Sequence, residues 1–137
     1  MDRWGIPSGS MPSAAIQWIE SGECCTKTHR CLETINDGVQ KAGGQRFSAE
    51  RASDSGPAFE RQGYNLVPSS EAMPGDFLVY ERGHGHYNAD GDGHVGIATL
   101  VDGEIKMFAN TNGKVRGNWD AWLNDPHTKV YRFGGGR

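Results

Sequence analysis

The chain has 137 residues, with 14 Lys and Arg against 17 Asp and Glu, which gives a formal net charge of −3. Domains commonly run to about 100–200 residues, so we expect residues 1–137 to form a single domain. The acidic balance argues against a nucleic-acid-binding module, which normally carries a basic excess. No apolar run approaches the ~20 residues that a membrane-spanning helix needs.

Two helices are predicted in the first third of the chain. Residues 1–12 contain prolines and glycines among serines and are predicted to form an extended N-terminal arm. Ser13 can cap a first helix, which Gly22 would end. A second helix is predicted from Cys31 to Ala42, because apolar residues recur there at spacings of three and four.

The second half of the chain predicts strands. Residues 44–74 are polar and are predicted to be mostly irregular, with one helical turn near Ala58–Arg61. A short helix is predicted near Asn118, because Trp119 and Trp122 are three residues apart. Strands are predicted at Phe77–Tyr80, His94–Val101, Glu104–Ala109 and Lys129–Phe133.

Asp102-Gly103 is the strongest hairpin signal in the chain. It predicts that the strands before and after it are antiparallel neighbours. Helices followed by an antiparallel meander predict an α+β fold, with the N-terminal helices packed on one face of an antiparallel sheet.

Three cysteines, Cys24, Cys25 and Cys31, lie close together in the sequence. An odd number argues against a disulfide framework and leaves at least one thiol free. We therefore expect synthesis in a reducing compartment. The first residues also lack the basic start and apolar core of a secretory signal, which predicts synthesis in the cytoplasm.

Three residues could form a nucleophilic site of the Cys–His–Asn kind. Cys31 is at the predicted start of a helix, where free N–H groups and the helix dipole favour a thiolate, the nucleophile of acyl transfer. His94 begins a strand after a glycine-rich loop, and Asn110 follows the returning strand. The hairpin brings both to one end of the sheet, where an amide beside the imidazole would fix its tautomer.

The nucleophile has alternatives in the sequence. Cys24 and Cys25 lie in a predicted loop, where a thiol would lack the effect of a helix dipole. Cys31 itself could continue the apolar face of its helix, because buried cysteines usually behave as small hydrophobic residues. The spacing from Cys31 to Gly43 and the histidine strand downstream favour the catalytic interpretation.

The base and the orienting residue have alternatives too. His29 is a rival to His94, whereas His84 and His86 are expected to be solvated loop residues. Asn112 is an equal rival to Asn110 by position. Asn112 is followed by glycine, a turn signal that favours a structural role for it.

Three stretches of the sequence resemble the NlpC-type cell-wall peptidases and the related CHAP amidohydrolases. The run from Cys31 to Gly43 looks like their nucleophile helix, in which a cysteine begins the helix and an alanine-glycine pair ends it. Ala72–Tyr80, with the sequence AMPGDFLVY, is similar to their PGDLVFF strand. Gly93–Ile97, with the sequence GHVGI, is similar to their HVGI strand, which carries the base. The resemblance spans roughly residues 28–112, and Asn110 makes it nearer to the CHAP members.

This resemblance implies a papain-like α+β fold and a peptidoglycan hydrolase. The enzyme would cleave amide bonds of cell-wall stem peptides by a thiol mechanism, with Cys31 as nucleophile, His94 as base and Asn110 as orienting residue. It implies no cofactor. The expected partners are a peptidoglycan peptide and, for a secreted effector, an immunity protein; neither nucleic acid nor a membrane is expected. The chain would reach the cell wall as a phage lysis or virion enzyme, or through dedicated secretion as an antibacterial effector.

Two other functions stay open from the sequence. Arg30 and Glu33 depart from the family pattern around Cys31, which suits a non-catalytic papain-fold binding or assembly module. The same thiol chemistry could also act on a protein substrate. Asn88–Gly93 matches the opening of a calcium loop, but its twelfth position is Thr99 and not a bidentate glutamate, so we expect no metal there.

Overall fold

The computed structural model describes residues 1–21, 31–48, 55–80, 94–111 and 114–134. Its helices are α1 (Met11–Ser21), α2 (Cys31–Lys41) and α3 (Gly56–Arg61), with a 3-10 turn at Ser69–Glu71. Its strands are β1 (Asn65–Val67), β2 (Phe77–Tyr80), β3 (His94–Val101), β4 (Glu104–Thr111), β5 (Lys114–Asp120) and β6 (Thr128–Arg132). They form one antiparallel sheet in the order β1-β6-β2-β3-β4-β5. The predicted α+β class is confirmed.

The predicted hairpin joins β3 to β4. Val101 pairs with Glu104, and the two residues between them have φ angles of 50° (Asp102) and 81° (Gly103). Positive φ at both central residues is the requirement of the type I′ turn, whose twist matches that of the flanking strands. The turn therefore fixes the register of β3 against β4.

α1 and α2 pack on each other, and α2 packs on β3 and β4. The apolar face predicted for α2 supplies Ile35 and Val39 to the core between helices and sheet, where α1 adds Ile16 and Ile19. Burial of such side chains is the main source of helix stability in a protein. None of the helices in the described ranges has the length and apolar character that crossing a bilayer requires.

The other face of the sheet carries a second, smaller apolar cluster: Leu78, Tyr80, Ala98, Met107, Ala109, Ala121 and Val130. The Tyr80 hydroxyl donates a hydrogen bond to the carbonyl of Ala121, which ties the segment after β5 to the centre of the sheet. All four residues of β2 are buried because β2 lies between these two clusters.

The helix predicted near residue 118 is wrong, because Lys114–Asp120 forms β5. Its exposed residues alternate along the chain, which is the period of two of a strand. Trp122 follows with a φ of 42°, outside the right-handed helical region. The three-residue spacing of Trp119 and Trp122 therefore does not belong to a helix.

The first residues pack against the domain and do not form an extended arm. Residues 3–6 and 8–10 form turns and bends, and α1 begins at Met11. The Asp2 Oδ1 accepts hydrogen bonds from the backbone N–H groups of Trp4 and Ile6 over 3.0 and 2.9 Å. Both apolar side chains are buried in the core on the helix side, because this local cap turns the chain back toward the sheet.

Three strands also differ from expectation. β1 lies in the segment predicted to be irregular. A run of only three residues, two of them exposed, carries no recognisable strand pattern. β6 begins and ends one residue earlier than predicted. β4 continues to Thr111, so Asn110 lies inside the strand and not after it.

Candidate active site

Cys31 is the first residue of α2. The first N–H groups of a helix have no partner within it, and together with the helix dipole they favour a negative charge at this end. The Cys31 side chain lies outside the described part of the structure, as do the rival cysteines 24 and 25 and the rival base His29. The backbone nonetheless places residue 31 at the start of α2.

Asn110 contacts the first turn of α2. Its Nδ2 donates a hydrogen bond to the Thr34 Oγ1 over 2.9 Å, and both side chains are buried. Thr34 lies three residues after Cys31, which places the two on neighbouring positions of one helix face. The tertiary structure therefore ties the end of β4 to the helical turn that begins at Cys31.

His94 is the first residue of β3 and is 5% exposed. It pairs across the sheet with Tyr80, and the two ring centroids are 6.4 Å apart with 30° between the ring planes. Burial disfavours the charged imidazolium and lowers the pKa of His94 to about 4. At neutral pH the imidazole is uncharged, so it has one nitrogen that can accept a proton.

His94 and Asn110 lie at the same end of the β3–β4 hairpin, away from the turn at residues 102–103. Their surroundings differ. Asn110 reaches the helices, whereas Tyr80, beside His94, belongs to the cluster on the opposite face of the sheet. A contact with Cys31 therefore requires the His94 imidazole to reach past the start of β3 toward α2.

Thr34 is a buried polar residue outside the motifs recognised in the sequence. It is 1% exposed and lies in α2 between the buried residues Leu32 and Ile35. The sequence does carry a signal for it, since the position three residues after a helix-starting nucleophile lies on the same face. A hydroxyl at that position can hold a second polar side chain against the helix.

Within the described ranges, no three His, Cys, Asp or Glu side chains are close enough together to hold a metal ion. The candidate calcium loop Asn88–Gly93 lies outside those ranges, as do His84, His86 and Asn112. The thiol chemistry expected from the sequence uses only side chains and water.

The comparisons with known proteins add one solved structure. No model of a known family matches the chain, and no curated protein matches it in sequence. The chain is similar to a chain of the type VI native effector-immunity complex Tae3-Tai3 from Ralstonia pickettii. The TM-score is 0.59 at 21% identity, with 89% of this chain and 98% of that chain covered. This likeness is one of fold.

Proposed function

We propose that the protein is a papain-like cysteine hydrolase that cleaves amide bonds in the stem peptides of peptidoglycan and acts as an antibacterial effector. Two independent comparisons support this. The order of the nucleophile helix, the PGD-type strand and the histidine strand resembles the NlpC and CHAP hydrolases. The fold is similar to a chain of a complex that pairs a type VI effector with its immunity protein.

The observation that carries the proposal is the hydrogen bond from Asn110 to Thr34. It connects two of the three candidate regions, the end of β4 and the first turn of α2, although the residues are 76 positions apart in the chain. A buried polar contact of this kind fixes the orientation of both groups. The proposed third member of the site is thus held beside the helix that begins at Cys31.

In the proposed mechanism, the neutral His94 imidazole accepts the proton of the Cys31 thiol, and the sulfur attacks the carbonyl carbon of the amide bond. The N–H groups at the start of α2 stabilise the resulting oxyanion. The imidazolium then gives its proton to the leaving nitrogen as the C–N bond breaks. Water, deprotonated by His94, hydrolyses the thioester and restores the thiol.

Asn110 is proposed to orient the imidazole when His94 reaches past the start of β3 toward α2. Donation from its Nδ2 to Thr34 fixes the plane of the amide, and an amide oxygen can accept the N–H of an imidazole and so select its tautomer. Asn110 would act through His94 and would not itself touch the reacting atoms.

The hydrolase proposal is tested by incubating the purified protein with peptidoglycan sacculi and identifying the released fragments by mass spectrometry. We expect Cys31→Ala to lower the rate at least a thousandfold, because no other group replaces the nucleophile. Cys24→Ala and Cys25→Ala are matched controls that should keep the activity of the wild-type protein. Full activity of Cys31→Ala would exclude the proposed nucleophile.

The effector proposal is tested in cells. Expression of the chain with an added export signal should lyse a Gram-negative host, whereas expression without the signal should be tolerated, because the cell wall lies outside the cytoplasm. Co-export of the immunity protein, the expected partner, should prevent lysis. Absence of lysis on export of the wild-type chain would contradict the effector proposal, and equal lysis by Cys31→Ala would exclude the proposed nucleophile.

A further inference from the structure

A concave region lies on the face of the sheet away from the helices. It is a cavity of about 690 Å³ between the start of β4, the end of β5 and the loop that follows β5. Residues of both signs line it together with one indole: Glu104, Lys106, Asp120, Trp122, Leu123 and Asp125. Its volume is in the range that small-molecule sites occupy.

Trp122 is held in the wall of this cavity by an unusual backbone conformation. Its φ of 42° lies in the left-handed region, which a bulky residue rarely adopts. Its carbonyl accepts hydrogen bonds from the Asp125 N–H and the Thr128 hydroxyl, each over 3.0 Å. The Tyr80 ring contacts its side chain edge to face, with the centroids 5.6 Å apart. The indole is therefore fixed in place before any ligand binds.

The charges of the cavity disfavour an anionic ligand. The Lys106 Nζ lies 2.8 Å from the Asp120 Oδ1 and 3.5 Å from the Glu104 Oε2. With Asp125, the lining has three carboxylates against one ammonium group. This excess repels anions, while carboxylate oxygens accept hydrogen bonds from hydroxyl groups and the lysine can donate one. A sugar ring offers hydroxyl groups to such acceptors and donors, together with an apolar face that can pack on a fixed indole.

The Tyr80 ring lies near both Trp122 of the cavity and His94 of the candidate active site. Its centroid is 5.6 Å from that of the Trp122 ring and 6.4 Å from that of the His94 ring. We propose that the Trp122 cavity binds a neutral N-acetylhexosamine unit of the glycan strand from which the stem peptide extends. The inference rests on the proposed function, and it adds a glycan-binding site on the face of the sheet away from α2.

The test is titration of the full chain with tetra-N-acetylchitotetraose, a soluble and uncharged glycan, followed by calorimetry and by ¹H–¹⁵N NMR. We expect saturable binding, a shift of the Trp122 indole N–H signal, and at least tenfold weaker binding in Trp122→Ala. Trp18→Ala is the matched control, because Trp18 is also a partly exposed tryptophan but lies in α1. That variant should bind as the wild-type protein does.

Three results would overturn the proposal. They are the absence of binding, unchanged binding in Trp122→Ala, and binding of the deacetylated, cationic tetramer alone, which would mark an ammonium site. If Trp122→Ala does not fold, the wild-type NMR experiment decides, since the indole signal of Trp122 must shift while that of Trp18 stays in place. The probe carries no stem peptide, so a failure here leaves the hydrolase proposal standing. Equally, a fully active Cys31→Ala leaves the titration result intact.

Discussion

At the scale of single residues, burial decides what His94 can do. A solvated histidine is partly charged near neutral pH, whereas burial keeps the His94 imidazole neutral because its pKa falls to about 4. A neutral imidazole begins the reaction without a proton, as the proposed general base must, but a pKa of about 4 also makes it a weak acceptor, because a general base works best with a pKa near the operating pH. The sequence places His94 at the start of a strand but contains no information about its burial.

The same burial predicts how stability depends on pH. The pKa of His94 is lower in the folded state than in the unfolded state, so the unfolded chain binds more protons between pH 6.5 and about 4. The free energy of unfolding should therefore fall as the pH is lowered through this window, by about 3 kcal/mol in total from His94. Below pH 4 this contribution should change no further.

Urea denaturation of the wild-type protein and His94→Gln across this pH range measures the effect. The difference between the two curves isolates His94 from the carboxylates that titrate in the same range. We expect that difference to change between pH 6.5 and 4 and to be constant above 7. Parallel curves throughout would mean that His94 is accessible to protons in the folded state.

At the scale of elements, α2 shows how a local weakness can serve tertiary packing. Gly38 lies in the middle of this helix, where glycine costs about 1 kcal/mol relative to alanine. A Cβ at this position would lie 2.6 Å from the Ile19 Cγ1 and 2.9 Å from the Ala15 carbonyl oxygen. The glycine therefore permits the close approach of α1 to α2. Helix propensity alone would predict that Gly38→Ala stabilises the protein, whereas the packing of the two helices predicts that it destabilises it.

We expect Gly38→Ala to lower the free energy of unfolding by about 1–3 kcal/mol, because the overpacking outweighs the gain in helix propensity. Chemical denaturation measures this difference. Gln17→Ala, at an exposed position of α1, is the control and should change stability by less than about 0.5 kcal/mol. A Gly38→Ala protein that is more stable than wild type would show that the two helices can separate at little cost.

At the scale of the whole molecule, a bidentate ion pair connects the last strand to the turn before β2. The Arg132 Nε and a terminal guanidinium nitrogen lie 3.0 Å from the two carboxylate oxygens of Asp76. The Asp76 Oδ2 also accepts the Met73 N–H over 2.8 Å. Asp76 is the aspartate of Pro74-Gly75-Asp76, the stretch that resembles the PGD motif of the NlpC and CHAP hydrolases. The same residue also anchors β6 in the sheet.

Removal of this arginine should destabilise the fold. Asp76 is 3% exposed, and Arg132→Met would leave its carboxylate without a cationic partner. Removing one partner of a fully buried ion pair lowers the free energy of unfolding by about 3–5 kcal/mol. The Arg132 guanidinium is partly exposed, so we expect a loss of about 2 kcal/mol. Thermal denaturation measures the loss, and Arg61→Met, at an exposed position in α3, controls for the removal of a positive charge. Equal stability would mean that backbone donors satisfy the carboxylate alone.

The sequence by itself determined the features that depend on neighbours along the chain. The apolar spacing of α2, the buried run of β2 and the Asp102-Gly103 turn each carry a local pattern, and the structure contains all three. The α+β class follows from their order. These predictions succeed because helix periodicity, strand burial and turn conformation are set within a few residues.

Only the tertiary structure decided the features that depend on contacts between distant residues. It made Lys114–Asp120 a strand because β4 was there to pair with it, and it placed β6 between β1 and β2. It joined Asn110 to Thr34 and put Tyr80 near both His94 and Trp122. Each of these arrangements lowers the free energy only once both partners are in place, so no local pattern in the sequence records it.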